Sequence, residues 1–565
     1  MNEKKKIIAD LIKIEGVSTD DIYESLDVPT DSSMGDFALP CFKFAKVLRK
    51  SPIAIANELA KQFEQLPSPL TKVTAVNGYL NFYVDRIATA KNVLNTILDE
   101  KEHYGDSDIG QGKNICIDYS SINIAKPFHI GHLSTTVIGG SLYKLYNKLG
   151  YHSIGINHLG DWGTQFGKLI VAFKLWCSEE ILAKEGMKAL TKIYVKFHKE
   201  AEKDPALDDK AREWFRKIEQ GDSEAMRLFD MFKEITINEV QKIYKKLNIT
   251  FDSYNGEAFY NDKMQVVLDE LEEKKLLITS EGAKVVDLSD YNMPPCLLVK
   301  ADGATLYATR DMAAAFYRKK TYDFDKCLYV VAYQQNLHFK QFFKVLELMG
   351  KDWADRLYHI PFGMVSLEDG AMSTRKGKVV LLEDALNKAV AKSLVIINEK
   401  NPDLEDKENV AEQVGVGAVI FSALYNSRIK DIVFKYDKVL NFEGETAPYI
   451  QYTNARANSV LTRLGETDYS IADFEGINSE EGNAVIAQLE KFPQIIVSAV
   501  EKNEPCYISR FLIELCKEYN RFYFAHRIID QPKEIAAVRG MLTEATHIVI
   551  EEGLRLLGIS APKKM

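Results

Sequence analysis

Residues 115 to 159 constrain the fold more than any other stretch. Ile115–Tyr119 is a short apolar run, Leu133–Leu149 carries apolar residues at helical spacing and stops at Gly150, and Ile154–Leu159 is apolar again. Strand, helix and strand in that order form a βαβ unit, whose two strands lie parallel. An open sheet of this kind takes its ligands beyond the carboxyl ends of its strands. The turn leaving the first strand is therefore the place to look for chemistry.

That turn is SSINIAKPFHIGH, residues 120–132. His129 and His132 stand one helical turn apart and can face the same way. Gly131 removes the side chain that would block a ligand lying against the turn, and Lys126 adds a mobile positive charge. A helix N-terminus contributes unpaired N–H groups and a positive dipole end. The group suits an anion gaining charge in a transition state, such as a phosphoryl centre under attack. An isolated H-x-x-H is usually a pair of surface histidines; its position between strand and helix favours function here.

Around this unit the chain divides into three. Residues 1–110 form a small α+β unit. Phe42–Lys50 has helical spacing with Phe42, Ala45 and Leu48 on one side, and Val73–Val84 reads strand–turn–strand about Asn77-Gly78. A Gly-rich joint, YGDSDIGQGKN, marks the boundary. Residues 111–395 hold the parallel sheet, with strands again at Cys296–Val299 and Leu328–Val331 and a charged helical insertion at about 175–250. Residues 396–565 show helical patterns only, as in VGVGAVIFSALYNSR and FLIELCKEYNRFYFAHRI. The expected fold is multidomain α/β plus all-α: an N-terminal α+β domain, a Rossmann-type parallel-sheet domain with a helical insertion, and a C-terminal helical bundle.

Composition narrows the partners. No apolar run approaches the roughly 20 residues of a membrane span. The seven cysteines are scattered without a C-x-x-C pair, which argues against a zinc ribbon or a disulfide framework and fits a reducing cytoplasm. A net charge of −9 does not announce a nucleic-acid partner, but binding depends on local basic patches rather than the total.

The longer string S-S-x-N-I-A-K-P-F-H-x-G-H resembles the ATP-binding signature of class I aminoacyl-tRNA synthetases, and of arginyl-tRNA synthetases in particular. NHLGDWGTQFG (157–167), DGATLYATRD (302–311), YQQNLHFKQFF (333–343), MSTRKG (372–377), PYIQYTNARANSVL (448–461), GDFALP (35–40) and LGISAPKKM (557–565) are similar as well. The resemblance runs from end to end and is weakest in the charged insertion. It implies an arginine–tRNA ligase in which Lys126, His129 and His132 are catalytic. ATP would lie against Ala125, Lys126, Pro127, Phe128, His129, Ile130, Gly131 and His132, and against Met372, Ser373, Arg375 and Lys376 of the second signature. Both lysines usual in that second signature are absent, with Ala371 and Thr374 in their places. Lys126, just before the first histidine, is the residue thought to compensate in such members.

A selective site for arginine needs carboxylates and amide oxygens in fixed geometry. Asp118 ends the first strand, and Tyr307 and Asp311, four apart at a helix start, share a face. Taken alone, Asp311 reads as a carboxylate at a helix N-terminus and Tyr307 as a half-buried strand tyrosine. The resemblance carries over Asp118, Ser120, Asn123, Tyr307, Asp311 and Gln335 as arginine contacts. It also implies tRNA contacts: Tyr79 and Asn81 at the elbow, Asp161 and Gln165 at the acceptor end (or as anchors of the following helix), and Tyr452, Arg456 and Met565 at the anticodon. The implied partners are tRNA(Arg), L-arginine and Mg2+-bound ATP as substrate complex, with no tightly bound cofactor, no protein-held metal and no membrane. The chain is expected to be a cytoplasmic monomer that activates arginine only with tRNA bound. Competing readings are a cytidylyltransferase, which is usually shorter and lacks a helical anticodon module, a non-catalytic tRNA-binding paralogue, and a class I synthetase for lysine.

Overall fold

The computed structural model describes residues 2–29, 31, 34–63, 65–67, 69–124, 126, 128–367 and 380–565. Contacts divide the chain into two compact units: residues 1–104, 457–493 and 514–549 form one, and residues 105–456, 494–513 and 550–565 the other.

In the first unit, β1 (Phe37–Pro40), β2 (Leu70–Val76) and β3 (Tyr79–Val84) form an antiparallel sheet ordered β1-β3-β2. Val76 pairs with Tyr79 across Asn77-Gly78, whose φ angles of 50° and 83° are the left-handed pair that a two-residue hairpin requires. Leu80, Phe82 and Val84 point into the core of this unit. The helix expected over Phe42–Lys50 is instead a 3-10 turn, Cys41–Phe44, followed by one α turn, Ala45–Leu48. Phe44 therefore enters the core, while Phe42 stands 51% exposed with its ring edge-on to Tyr79. Helices from beyond residue 457 complete the unit. Tyr104 donates to the carbonyl of Leu489 at 3.1 Å and stacks on Phe492.

The second unit is built on a parallel sheet. Its strands are β4 (Asn114–Asp118), β5 (His152–Ile156), β9 (Lys326–Tyr329) and β10 (Leu357–His359), ordered β10-β9-β4-β5. Ile115, Cys116 and Ile117 on β4 are wholly buried, which explains a continuous apolar run where a half-exposed strand would alternate. The chain leaves β4 outward to β5 and later crosses back to lay β9 on the other side of β4. The strand order thus reverses at β4, and a crevice opens at its carboxyl end. The Leu133–Lys148 helix covers the sheet and contains Gly139, where an added Cβ would lie 2.2 Å from the Tyr119 ring. Gly139→Ala is expected to destabilise this unit by about 1–3 kcal/mol through overpacking. Chemical denaturation followed by circular dichroism would show the shift.

The insertion is four helices, Glu179–Glu185, Met187–Ala201, Ala206–Glu219 and Ser223–Lys246. Cys296–Val299 is a strand, β8, but it joins β6 (Leu277–Ser280) and β7 (Ala283–Val286) in a separate antiparallel sheet. The expectation of helices alone beyond residue 396 is also corrected. β12 (Ile432–Phe434) pairs in parallel with β11 (Val365–Leu367), and three residues are too few to show a period. All seven cysteines are free, and all but Cys177 are buried. Among the described residues no helix is long and apolar enough to cross a membrane.

Candidate active site

β4 ends in Asp118, and the chain then turns sharply. Ser120 and Ser121 both take positive φ, 67° and 43°, an unfavourable conformation for residues with a side chain. Hydrogen bonds hold it. The Ser120 N–H donates to the Thr135 hydroxyl at 3.0 Å, the Ser120 hydroxyl pairs with those of Thr136 and Tyr244, and the Ser121 hydroxyl donates to Asp118 Oδ1 at 2.6 Å. Ser120 is buried with its hydroxyl engaged twice, so it braces the turn rather than facing a ligand.

The two histidines cap the turn reciprocally. His129 precedes the 3-10 turn Ile130–His132, and its Nδ1 accepts the Gly131 N–H at 3.1 Å. His132 Nδ1 lies 3.2 Å from both the His129 N–H and the His129 carbonyl, and its tautomer decides which of the two it meets. A ring nitrogen that accepts carries no proton, so neutral His129 holds its proton on Nε2. Burial, then the neighbouring His129 and Lys126, push His132 down to about 3, and burial lowers His129 too. The pair is therefore two neutral rings with centres 4.0 Å apart. Permanent positive charge comes from Lys126 instead. The far side of the turn is tied to the chain following the second signature: Ile130 N–H donates to Val380 O and Leu382 N–H to Phe128 O. Ala125, Pro127 and the second-signature residues Ala371, Met372, Ser373, Thr374, Arg375 and Lys376 lie outside the described residues.

Opposite charges gather at the neighbouring strand ends. Tyr307 opens the Tyr307–Tyr322 helix and is 56% exposed, so it is not a half-buried strand residue. One turn on, Asp311 Oδ2 lies 2.7 Å from His338 Nε2, and the His338 ring packs on Tyr307 with centres 4.7 Å apart. Gln335 is exposed at the end of the 3-10 turn Tyr333–Gln335 that follows β9. Asn123 bridges to Gly160 beyond the end of β5. Asp118 is placed differently from the expectation. Its Oδ2 receives the guanidinium of buried Arg318 at 2.7 Å, so this carboxylate already holds an arginine, one of the chain's own.

Glu257 is a carboxylate the sequence did not bring forward. It is largely enclosed, lies 3.4 Å from Arg310, and is pushed up to about 7 by burial, against the pull of Arg310 and with the carboxylates of Asp311 and Asp161 adding to the rise. It sits in N-G-E-A-F, with no motif around it; only a glycine before a lone acid hinted at a shaped turn.

The remaining candidates separate by burial. Asp161 is wholly buried and accepts the Ala258 N–H at 2.8 Å, so it faces the protein interior and not an RNA end. Gln165 donates to Gly160 O at 3.3 Å. Tyr79 is exposed, whereas Asn81 is 1% exposed with its amide Nδ2 unpaired. Tyr452 is exposed, and the Arg456 guanidinium lies 4.9 Å over its ring, so these two do share a face. Met565 packs against the small core of Ile397, Leu404, Val410, Ala411 and Val414, and its carbonyl accepts from Asn401. No group of three or more His, Cys, Asp or Glu placed to hold a metal occurs among the described residues.

Comparison with known proteins gives a consistent pattern along the whole chain. Residues 93–436 match the family model of the class I (R) tRNA synthetase catalytic domain, residues 450–565 that of the DALR anticodon binding domain, and residues 2–84 that of the arginyl tRNA synthetase N-terminal domain. The arginine–tRNA ligase of Alkaliphilus metalliredigens is 52% identical with both chains covered in full, and that of Clostridioides difficile 52% identical over 98% of each. Among solved structures, Thermus thermophilus arginyl-tRNA synthetase aligns with a TM-score of 0.80 at 24% identity over 96% of each chain. The Plasmodium falciparum arginyl-tRNA synthetase aligns at 0.79 and 22% over 100% of this chain and 98% of that one; both likenesses concern the fold.

Proposed function

Since the chain belongs to the class I arginyl-tRNA synthetase family, we propose that it is an arginine–tRNA ligase whose chemistry runs at the carboxyl ends of β4, β5 and β9. A carboxylate oxygen of arginine attacks the α-phosphorus of Mg2+-bound ATP. The bond to the bridging oxygen breaks, releasing pyrophosphate and leaving arginyl-adenylate. The 2′-hydroxyl of the terminal adenosine of tRNA(Arg) then attacks the adenylate carbonyl and displaces AMP.

The observation that carries this reading is the reciprocal capping of His129 and His132. It holds both neutral rings in place, and with each proton on Nε2 they would be preoriented donors for phosphoryl oxygens that gain charge during attack. Neutral rings suit this role. They donate in every protonation state relevant near neutrality, and Lys126 supplies the charge that the missing second-signature lysines would otherwise bring. The guanidinium end of arginine is assigned to Asp311, Tyr307 and Glu257, and the amino-acid end to Asn123 and Gln335. Asp118 and Ser120 brace the site from behind. The enclosed acids favour a cation, and the planar, multi-donor guanidinium suits several acceptors held at fixed angles better than a single ammonium does.

For tRNA, residues 1–110 are assigned to the elbow, with Tyr79 as the exposed platform and Asn81 beneath it. Residues 396–565 are assigned to the anticodon, with the Tyr452–Arg456 pair as the stacking element. Gln165 remains the candidate for the acceptor end. Activation is expected to require bound tRNA, and the chain to act as a cytoplasmic monomer.

ATP–pyrophosphate exchange with arginine, with and without tRNA(Arg), tests the reading. Exchange should require arginine and tRNA, ignore lysine, and fall by about 10²-fold or more in Lys126→Ala, as for a lost transition-state charge contact. Exchange that survives Lys126→Ala would move the phosphate role to Arg375 or Lys376. A protein that binds tRNA but exchanges with neither amino acid would be a non-catalytic paralogue.

A further inference from the structure

The insertion helix Ser223–Lys246 sends two polar side chains toward the site, Lys233 and Tyr244. They are eleven residues apart, close to three helical turns, and so project from one face. Tyr244 reaches Ser120 and Asn157 at 2.7 and 2.9 Å. Lys233 reaches Asp161, with Nζ 2.6 Å from Oδ2.

The Lys233 contact leads straight to the acid pocket. Asp161 is wholly buried, and a carboxylate there needs a cation and hydrogen bonds to remain charged. Lys233 supplies the cation on one oxygen, and the Ala258 N–H fills the other. The preceding residue, Glu257, is fixed by its own N–H to Leu159 O at 2.9 Å. Gly256 completes the turn, because an added Cβ would lie 2.5 Å from both Asp161 Oδ1 and Leu159 O. The turn thus lies flat on a carboxylate that Lys233 neutralises.

We infer that Lys233 is a positioning residue for the amino-acid pocket: through Asp161 it holds the Gly256–Ala258 turn, and with it the Glu257 carboxylate, where the substrate guanidinium binds. The inference rests on the arginine-ligase reading for the identity of that substrate, and on the geometry alone for the hold on the turn. Glu257 is faced by Arg310 and Asp311 from the Tyr307–Tyr322 helix, by Asp161 beneath it, by Lys126 from the histidine turn, and at longer range by Lys233 behind Asp161. Without the Lys233 cation the buried Asp161 carboxyl takes up a proton, which slackens its hold on the turn and removes a negative charge beneath Glu257. Lys233→Met and Asp161→Asn therefore both lower the pH at which Glu257 ionises. Lys233→Arg keeps the cation and that pH, whereas general loosening of the fold would not be reversed by a replacement cation.

The test is arginine-dependent exchange in the full-length protein with tRNA(Arg), measured against pH for wild type, Lys233→Met, Lys233→Arg and Asp161→Asn. Lys233→Met should raise the arginine KM by up to about 100-fold, as for a group displaced by about 1 Å, with the ATP KM unchanged. Its pH midpoint for arginine KM should move down, as should that of Asp161→Asn, and Lys233→Arg should recover most of the loss and restore the midpoint. Amide exchange at residues 257 and 258 should quicken in Lys233→Met and slow again in Lys233→Arg. Unchanged arginine KM and amide exchange in Lys233→Met, or a midpoint that Lys233→Met moves up or Lys233→Arg does not restore, would overturn the inference. If Lys233→Met does not fold, Asp161→Asn carries the test, since it leaves a solvated lysine and an amide oxygen still able to accept from Ala258; an unmoved midpoint there would overturn it equally. A wild type that shows no arginine-dependent exchange would refute the ligase reading alone, and the amide exchange would still decide the role of Lys233.

Discussion

His132→Ala is expected to lower kcat for arginine-dependent exchange by about 10²–10³-fold, the usual loss when one preorganised donor to a developing oxyanion is removed. The arginine KM should change little, because the ring acts on phosphoryl oxygens and not on the amino acid. The neutral-donor assignment adds a stricter condition. With His132 held at about 3, its ionisation cannot shape the activity profile near neutrality. An inflection near pH 6.5 that vanishes in the His132 variant would sink the assignment. Stability gives an independent reading. The native pKa lies below the ordinary histidine value of 6.5, so the unfolded chain takes up a proton first as pH falls. Wild-type stability from this group is therefore complete above pH 6.5 and declines from there toward about 3. Urea denaturation at stepped pH should show a shallower decline in His132→Ala.

The second large effect is expected at Glu257. Its carboxyl ionises at about 7, so the anion that would meet a guanidinium forms as pH rises through neutrality. The arginine KM should fall over that range, with the ATP KM flat. Glu257→Gln should remove the pH dependence and raise the arginine KM by about 10²-fold, in keeping with roughly 2–5 kcal/mol for breaking an enclosed charge pair. The sign on stability is opposite to that for His132. A carboxyl with a raised native pKa favours the fold below its ordinary value of 4.5 and loses that contribution as pH rises through about 7. Arginine binding should restore it, so ligand-induced stabilisation should grow with pH. A KM profile that stays flat from pH 6 to 8 would remove Glu257 from the pocket.

Particular residues show how far the chain could be read before it was folded. The parallel core was legible because Ile115–Ile117 must be apolar on both faces, a demand that overrides alternation. The hairpin at Asn77-Gly78 was legible because few residues accept its backbone angles. Tyr452 and Arg456 were legible as neighbours because four residues make a helical turn. Phe42 was misplaced because a 3-10 turn advances 120° per residue, not 100°, and turns Phe44 inward in its stead. Asp161 looked available because a buried aspartate and an exposed one are the same letter; its cation, Lys233, stands 72 residues away. Glu257 was missed for a related reason. Its neighbours Arg310 and Asp311 lie on the Tyr307–Tyr322 helix and Asp161 in the chain beyond β5, and no local spacing connects them.

The internal pair of Arg318 and Asp118 has a consequence for ligand design. Acid groups at these strand ends look, on a charge map, like one continuous target for a dicationic inhibitor. They are two targets of different kinds. Asp311 beside His338 and Glu257 beside Arg310 stay partly exposed and are the acids proposed to meet an incoming cation, whereas Asp118 is occupied by a guanidinium that is itself fully enclosed. An inhibitor arm that displaced Arg318 would strand that charge in the interior, at a cost of about 3–5 kcal/mol, which a new contact to Asp118 could at best repay. A second cationic arm aimed there gains no affinity. Potency is better sought by matching the planar shape of a single guanidinium and extending toward the adenylate side.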